Sequence, residues 1–295
     1  MPLITLEGDI SITTFEPPSG FDPLAATDAE LEQYGFPSRP DHPRLLTLYQ
    51  RVFTRLKGRL KYLEPAFRIS REASGDPRDR LPSASVYTGD NWSGGVVQPP
   101  PGKSFNQVLG QWVVPNAYPM SGEVFLNSYW IGLDGFTGSG AGEALQAGVD
   151  CFLFGTSSSL YPWHQWTPSP KVAITNLGVS AGDLVMINIS ASPGGGATTA
   201  KVSIANISSG AATSYVILAP PSQKLAGTSA EWIVEADPNY LADYGQIFFD
   251  NCIACAGSSG AGGGTGEKLN ITKGGSVVSE AALIGSQVIQ CRYSA

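Results

Sequence analysis

The chain reads as an all-β protein, and three observations carry that reading. From about residue 86 it breaks into short runs rich in Val, Ile, Trp, Tyr and Phe, separated by clusters of Gly, Pro, Ser and Asn. That spacing is the pattern of a sandwich or a barrel. Apolar and polar residues alternate in Leu184-Val185-Met186-Ile187-Asn188-Ile189-Ser190 and in Lys201-Val202-Ser203-Ile204-Ala205-Asn206, the period of a half-buried strand. Only one stretch of the chain carries a long helical stripe, and it lies near the N-terminus.

Residues 1–25 begin with apolar or β-branched residues at alternate positions, Leu3 and Thr5, then Ile10, Ile12 and Thr14, which reads as strand until the run Glu16-Pro17-Pro18. Thr27 with Glu30 three residues later forms a capping box and opens a short helix that stops at Gly35. A second helix follows, with Asp41 as its cap and Pro43 in its first turn, where a missing N–H costs little. Leu45, Leu48, Tyr49, Val52, Phe53 and Leu56 give it one apolar stripe, and Arg44, Arg51, Arg55, Lys57, Arg59 and Lys61 a basic face. That face is read either as a solvated helix surface or as a basic segment lying over an acidic cleft. Residues 70–85 are polar with two prolines and read as a linker.

The charge balance changes here too. Residues 1–90 hold 11 of the 18 Lys and Arg, whereas residues 91–295 hold 7, against 12 Asp and Glu. The expected division is therefore an N-terminal extension or propeptide-like segment over 1–85 and a β domain over 86–295. Strands are expected at 91–97, 106–114, 123–133, 143–154, 163–166, 184–192, 198–206, 214–218, 230–234, 246–250, 267–272 and 288–293. The run 256–266, nearly all Gly, Ser, Ala and Thr, reads as a flexible surface loop.

The totals exclude several classes. Charged residues are only 15% of the 295 and the net charge is −7, which argues against a nucleic-acid partner. Few carboxylates suit a protein that works in acid, since few native ion pairs are lost on protonation. No run of 18 apolar residues is present, so no membrane span is expected. The first residues lack the basic and apolar regions of a standard signal peptide. With only His42 and His164 in the chain, the pair Cys252 and Cys255 is a poor zinc site, and no metal is expected. Buried thiols or disulfides among Cys151, Cys252, Cys255 and Cys291 are the expected state, with the pairing open.

Two stretches carry polar residues where apolar ones would pack better. Ser229-Ala230-Glu231-Trp232-Ile233-Val234-Glu235 is a short apolar strand with two acids, and Leu145-Gln146-Ala147-Gly148-Val149-Asp150 is a second. Burying an amide or a carboxylate costs several kcal/mol unless it is hydrogen-bonded, so Gln146 and Glu231 make sense if they face each other. A carboxylate can then act as general base for a water, and the amide can hold that water and donate to the developing oxyanion. Neither metal nor nucleophile is needed. A Ser–His–Asp site is short of histidines. Glu231 and Glu235 share a face but stand about 13 Å apart at strand rise, too far for a glycosidase pair. Either could still pair with an acid from another strand.

Asn91-Trp92-Ser93-Gly94-Gly95, Tyr129-Trp130-Ile131-Gly132-Leu133-Asp134-Gly135, Leu145-Gln146-Ala147-Gly148-Val149-Asp150 and Ala230-Glu231-Trp232-Ile233-Val234-Glu235 occur in an order and spacing that resembles the glutamic peptidases, or eqolisins. The resemblance covers roughly residues 90–295. It implies a concanavalin-like sandwich of two antiparallel sheets and an acid-active, pepstatin-insensitive endopeptidase without a cofactor. It places the catalytic pair on Gln146 and Glu231, with Trp92, Trp130, Asp134 and Asp150 lining or supporting the site, and Gln165 and Trp166 in the segment beside it. The alternative for Trp92 and Trp130 is core packing, and for Asp134 and Asp150 a turn or cap.

The segment Trp163-His164-Gln165-Trp166-Thr167-Pro168 departs from the family, which carries an acid at Gln165 and a tyrosine at Thr167, so pH profile and substrate choice should differ. The implied partners are protein or peptide substrates, the implied compartment extracytoplasmic, and a monomer is the expected assembly. The rival readings are a peptide- or glycan-binding module on the same sandwich, and a glycan-acting enzyme with a second carboxylate near Glu231.

Overall fold

The computed structural model describes residues 2–8, 10–40, 43–70, 88–89, 91–118, 124–136, 144–155, 157–236, 240–257 and 259–294. In chain order the strands are β1 (Leu3–Leu6), β2 (Ile10–Thr14), β3 (Lys61–Tyr62), β4 (Phe67–Ile69), β5 (Thr88–Gly89), β6 (Trp92–Val97), β7 (Gln107–Val113), β8 (Val124–Leu133), β9 (Leu145–Phe154) and β10 (Ser157–Trp166). They continue as β11 (Val172–Ile174), β12 (Leu184–Ala191), β13 (Thr199–Asn206), β14 (Ala211–Leu218), β15 (Ala230–Glu235), β16 (Gln246–Ala256), β17 (Ser259–Gly262), β18 (Glu267–Lys273), β19 (Ser276–Ile284) and β20 (Val288–Tyr293). The helices are α1 (Asp28–Gln33) and α2 (Pro43–Leu56).

These strands form the sandwich expected from the sequence. The front sheet runs β4–β11–β10–β9–β8–β15–β6–β18. The back sheet runs β1–β2–β14–β13–β12–β7–β16–β20–β19–β18. Strand β18 belongs to both: its first half pairs with β6 and its second with β19, so one side of the sandwich is closed by a shared strand. All these pairings are antiparallel.

Alternation decides which side chains enter the core. On β15, Ala230, Trp232 and Val234 point between the sheets, where Trp232 donates its indole N–H to the Leu109 carbonyl at 2.9 Å. They meet Trp112, Val185, Ile187, Ile189, Val202 and Ile204 of the back sheet. Glu231, Ile233 and Glu235 are left on the outer face of the front sheet, with Trp92, Trp130 and Trp163 around Ile233.

The N-terminal segment is woven into both sheets. β2 extends the back sheet through β14, β3 lies parallel to the same strand, and β4 extends the front sheet through β11. The capping box at Thr27 and Glu30 is present, with the Glu30 N–H donating to Thr27 Oγ1 at 3.2 Å and the Thr27 N–H to Glu30 Oε2 at 2.7 Å. Gly35 ends the turn at φ +76°, where a side chain would collide with the Phe15 ring. Asp41, the proposed cap of α2, and most of the proposed 70–85 linker lie outside the described residues.

Of the two readings of helix α2, the solvated surface of a docked helix is the one observed, and the helix does not lie over the candidate site. Its apolar stripe packs Leu45, Leu48 and Val52 onto Leu109, Met186, Ile253 and Cys255, on the outer face of the back sheet, and its arginines face solvent. The 256–266 run is not a loose surface loop either. Ser259–Gly262 pairs with β16, and a Cβ on Gly263 would stand 2.8 Å from both Trp232 and Cys252. The glycines let this backbone lie directly on the core. All four cysteines are buried free thiols, and Cys252 and Cys255 face opposite sides of the back sheet, so they do not form a metal pair.

Candidate active site

The register of five neighbouring strands arranges the outer face of the front sheet in rows. Val96, Glu231, Gly132, Gln146 and Gln165 stand opposite one another across β6, β15, β8, β9 and β10. The next row is Gly94, Ile233, Trp130, Gly148 and Trp163, and the third is Trp92, Glu235, Ser128, Asp150 and Tyr161. Opposite residues share a face, and strands lie about 4.8 Å apart. The Glu231 and Gln146 backbones are therefore about 10 Å apart, with Gly132 between them. A Cβ on Gly132 would stand 3.0 Å from Glu231 Oε2, 3.4 Å from Gln146 Cγ and 2.9 Å from Trp130 Cζ3. The carboxylate, the amide stem and the indole edge converge over the one residue that has no side chain.

Glu231 is 0% and Gln146 2% exposed. Among the described residues, neither Glu231 oxygen nor Gln146 Nε2 has a hydrogen-bond partner. Unmade hydrogen bonds of this kind are costly, and a catalytic role or a bound water is what accounts for such groups in native proteins. Burial pushes the Glu231 carboxyl well above the usual range; the Ser229 hydroxyl, near it but outside hydrogen-bonding geometry, opposes this, and the Asp134 charge adds to it.

Asp134 sits at φ +65° just past β8. Its carboxylate accepts the N–H groups of Ala226, Gly227 and Thr228, at 2.8, 3.0 and 2.6 Å, and the Thr228 hydroxyl at 2.8 Å. It thus ties down the turn that leads into β15 and has no lone pair to spare for acid chemistry. Asp150 accepts from Ser128 Oγ and from Lys171 Nζ at 2.9 Å, and the Lys171 ammonium lies 3.9 Å from the Trp163 ring centre. Trp92 and Trp130 pack edge to face with ring centres 5.0 Å apart, and both are buried. Gln165 ends the Glu231 row and donates to the Ser169 carbonyl at 3.0 Å. Thr167 Oγ1 accepts the Ala144 N–H at 2.8 Å. Trp166 alternates to the other side of the sheet and packs in the central core, away from Gln146.

Three participants were missed in the sequence: Gly132, Trp163 and Lys171. Cross-strand register reveals Gly132 and Trp163, and the ion pair with Asp150 reveals Lys171. Other chemistries find little here. His164 faces the core, hydrogen-bonded through Nδ1 to the Tyr215 hydroxyl at 2.9 Å, and burial lowers its pKa to about 3. Glu235 lies in the far row, and no second free carboxylate shares the Glu231 row among the described residues.

The fold is a two-sheet antiparallel sandwich, and a buried Glu and Gln share one row of its outer face. The Peptidase A4 family model matches residues 90–293, and the chain belongs to that family; it is a peptide-bond hydrolase. Among relatives, Aspergillopepsin-2 of Aspergillus niger is 26% identical over 221 residues, 67% of this chain and 76% of that protein. Among solved structures, scytalido-glutamic peptidase with a transition-state analog inhibitor superposes with a TM-score of 0.59 at 21% identity, covering 70% of this chain and 98% of that one. Aspergilloglutamic peptidase from Aspergillus niger gives 0.51 at 24% identity, covering 58% and 99%. The family match begins at residue 90, so the N-terminal segment lies outside it.

Proposed function

We propose that the chain is an acid-active endopeptidase in which Glu231 and Gln146 activate water directly, without metal or covalent intermediate. The observation that carries this reading is the row Glu231–Gly132–Gln146, in which both Glu231 oxygens and Gln146 Nε2 are buried without partners. Ionised Glu231 takes a proton from a water in that gap as the water attacks the scissile carbonyl carbon. The free Gln146 Nε2–H donates to the carbonyl oxygen as it becomes an oxyanion. Glu231 then passes its proton to the leaving amine, and the raised proton affinity of its buried carboxyl suits this second step. General base catalysis supplies about 10²–10⁴-fold and one oxyanion donor about 10²–10³-fold.

Trp92, Trp130 and Trp163 form the apolar floor beside the row, and Asp134 and Asp150 hold its supporting strands. Residues 1–85 are read as an extension that stays with the sandwich, because β2, β3 and β4 complete sheet edges. An extracytoplasmic setting fits an acid-active enzyme; among the described residues no helix is long and apolar enough to cross a membrane. The test is digestion of a denatured protein from pH 3 to pH 7, with pepstatin present, by wild type and by Glu231→Gln. Activity lost in the variant supports the reading. Activity retained removes it, and no activity in either leaves the binding module as the better account.

A further inference from the structure

Glu235 is the second acid on β15 and has no part in the chemistry above. Its surroundings are specific. The indole Nε1–H of Trp130 donates to Glu235 Oε2 at 2.8 Å, and Asn91 Nδ2 lies 3.5 Å from Oε1. Burial raises its carboxyl, and the Lys171 ammonium and the indoles of Trp92 and Trp130 draw it back. Trp130 sits in the middle row, between the Glu235 row and the Glu231 row. Its five-membered ring is bound by Glu235. The far edge of its six-membered ring, Cζ3, reaches the position over Gly132 where Glu231 Oε2 also arrives. The indole therefore spans the two rows as a rigid bar, anchored at one end and forming the wall beside Glu231 at the other.

We propose that Glu235 is a positioning residue for the peptidase reaction: by accepting the Trp130 indole N–H it fixes the ring edge that walls the Glu231 carboxylate. This inference rests on Glu231 being the catalytic base. An indole has one donor and a fixed outline, so a single hydrogen bond at its nitrogen sets where its opposite edge lies. Without that bond, rotation about the side-chain torsions moves the far edge more than the near one. Asn91 helps hold the carboxylate, and the paired Asp150 and Lys171 form the buried ground behind it. Side chains that touch a reacting group are held in place by such supporting bonds, and small displacements cost large factors in rate.

The experiment is a set of full-chain variants assayed on a fluorogenic peptide, with kcat and KM separated. Glu235→Gln keeps an acceptor oxygen for the indole and should hold kcat within about threefold, whereas Glu235→Met should lower it about 10-fold to 10²-fold with KM little changed. Trp130→Phe removes the same hydrogen bond from the other side. In that background Glu235→Met should cost nothing further, the mark of one shared interaction. If Glu235→Met does not fold, Trp130→Phe alone must still lower kcat by that factor. Wild-type kcat in Trp130→Phe, or losses that simply multiply in the double variant, overturns the inference. Glu231→Gln, run alongside, tells the failures apart: if it is inactive the dyad stands whatever Glu235 does, and if it is active the dyad itself falls.

Discussion

Glu231 and Gln146 stand on either side of Gly132, in one cross-strand row, and the Trp130 ring edge meets them over the gap that this glycine leaves. The gap is where the water and the scissile carbonyl must fit. Gly132→Ala places a methyl 3.0 Å from the carboxylate oxygen, so kcat/KM should fall about 10²-fold. Overpacking should cost about 1–3 kcal/mol of stability. Peptide hydrolysis and thermal unfolding of the same preparation check both.

Burial raises the Glu231 carboxyl well above 4.5. The base must be ionised for attack, so kcat/KM should fall as pH drops through this raised pKa. The acid limb of the profile is expected above pH 4.5, in mild rather than strong acid. The same shift acts on stability with a definite sign. The folded state holds the proton more tightly than the unfolded chain, so stability is full below pH 4.5 and is lost as pH rises through the folded pKa. Glu231→Gln, which cannot ionise, should therefore raise Tm at pH 7, by about 2–4 °C for each kcal/mol relieved, and the gain should vanish below pH 4.5. Paired melting curves at pH 4 and pH 7 measure it.

His164 works in the opposite direction. Its folded pKa is lowered to about 3 by burial, so its contribution is intact above the unfolded value near 6.5 and is lost as pH falls toward 3. Between those values the loss is about 1.4 kcal/mol per pH unit. His164→Gln removes it while keeping an acceptor for the Tyr215 hydroxyl. The variant should be less stable than wild type at pH 7, with the gap closing steadily toward pH 4 in denaturant titrations.

Helix α2 packs on the back sheet, on the far side of the sandwich from Glu231. Leu48→Ala should cost about 2–5 kcal/mol, yet leave kcat/KM within twofold wherever the variant remains folded. A rise in activity on loosening this helix would instead reveal an inhibitory segment. Unfolding and peptide turnover measured at one temperature separate the two.

Much of this was legible in the sequence, for physical reasons. Two polar residues in apolar strands are costly, so Gln146 and Glu231 stand out without any structure. The capping box at Thr27 and Glu30 is local and was readable. What escaped depends on partners distant in sequence. Gly132 gains its meaning from the register of three strands, and Lys171 from an aspartate twenty-one residues away. Strand β19 was missed because its fully buried residues are small, Ser279 and Ala281, while Val277 and Ile284 are exposed, the reverse of the usual signal. The Gly-rich run 256–266 read as a loop because composition does not tell a flexible backbone from one pressed onto Trp232. The basic face of α2 suggested a cleft, but its apolar stripe decided where it docks.

The most direct test of the dyad is kcat/KM for wild type, Gln146→Leu, Glu231→Gln and the double variant on one peptide at the pH of maximum activity. If the two side chains act as one unit, Glu231→Gln should lose about 10²–10⁴-fold and Gln146→Leu about 10²–10³-fold. The double variant should then be little worse than Glu231→Gln alone. Either single variant within tenfold of wild type would contradict the account.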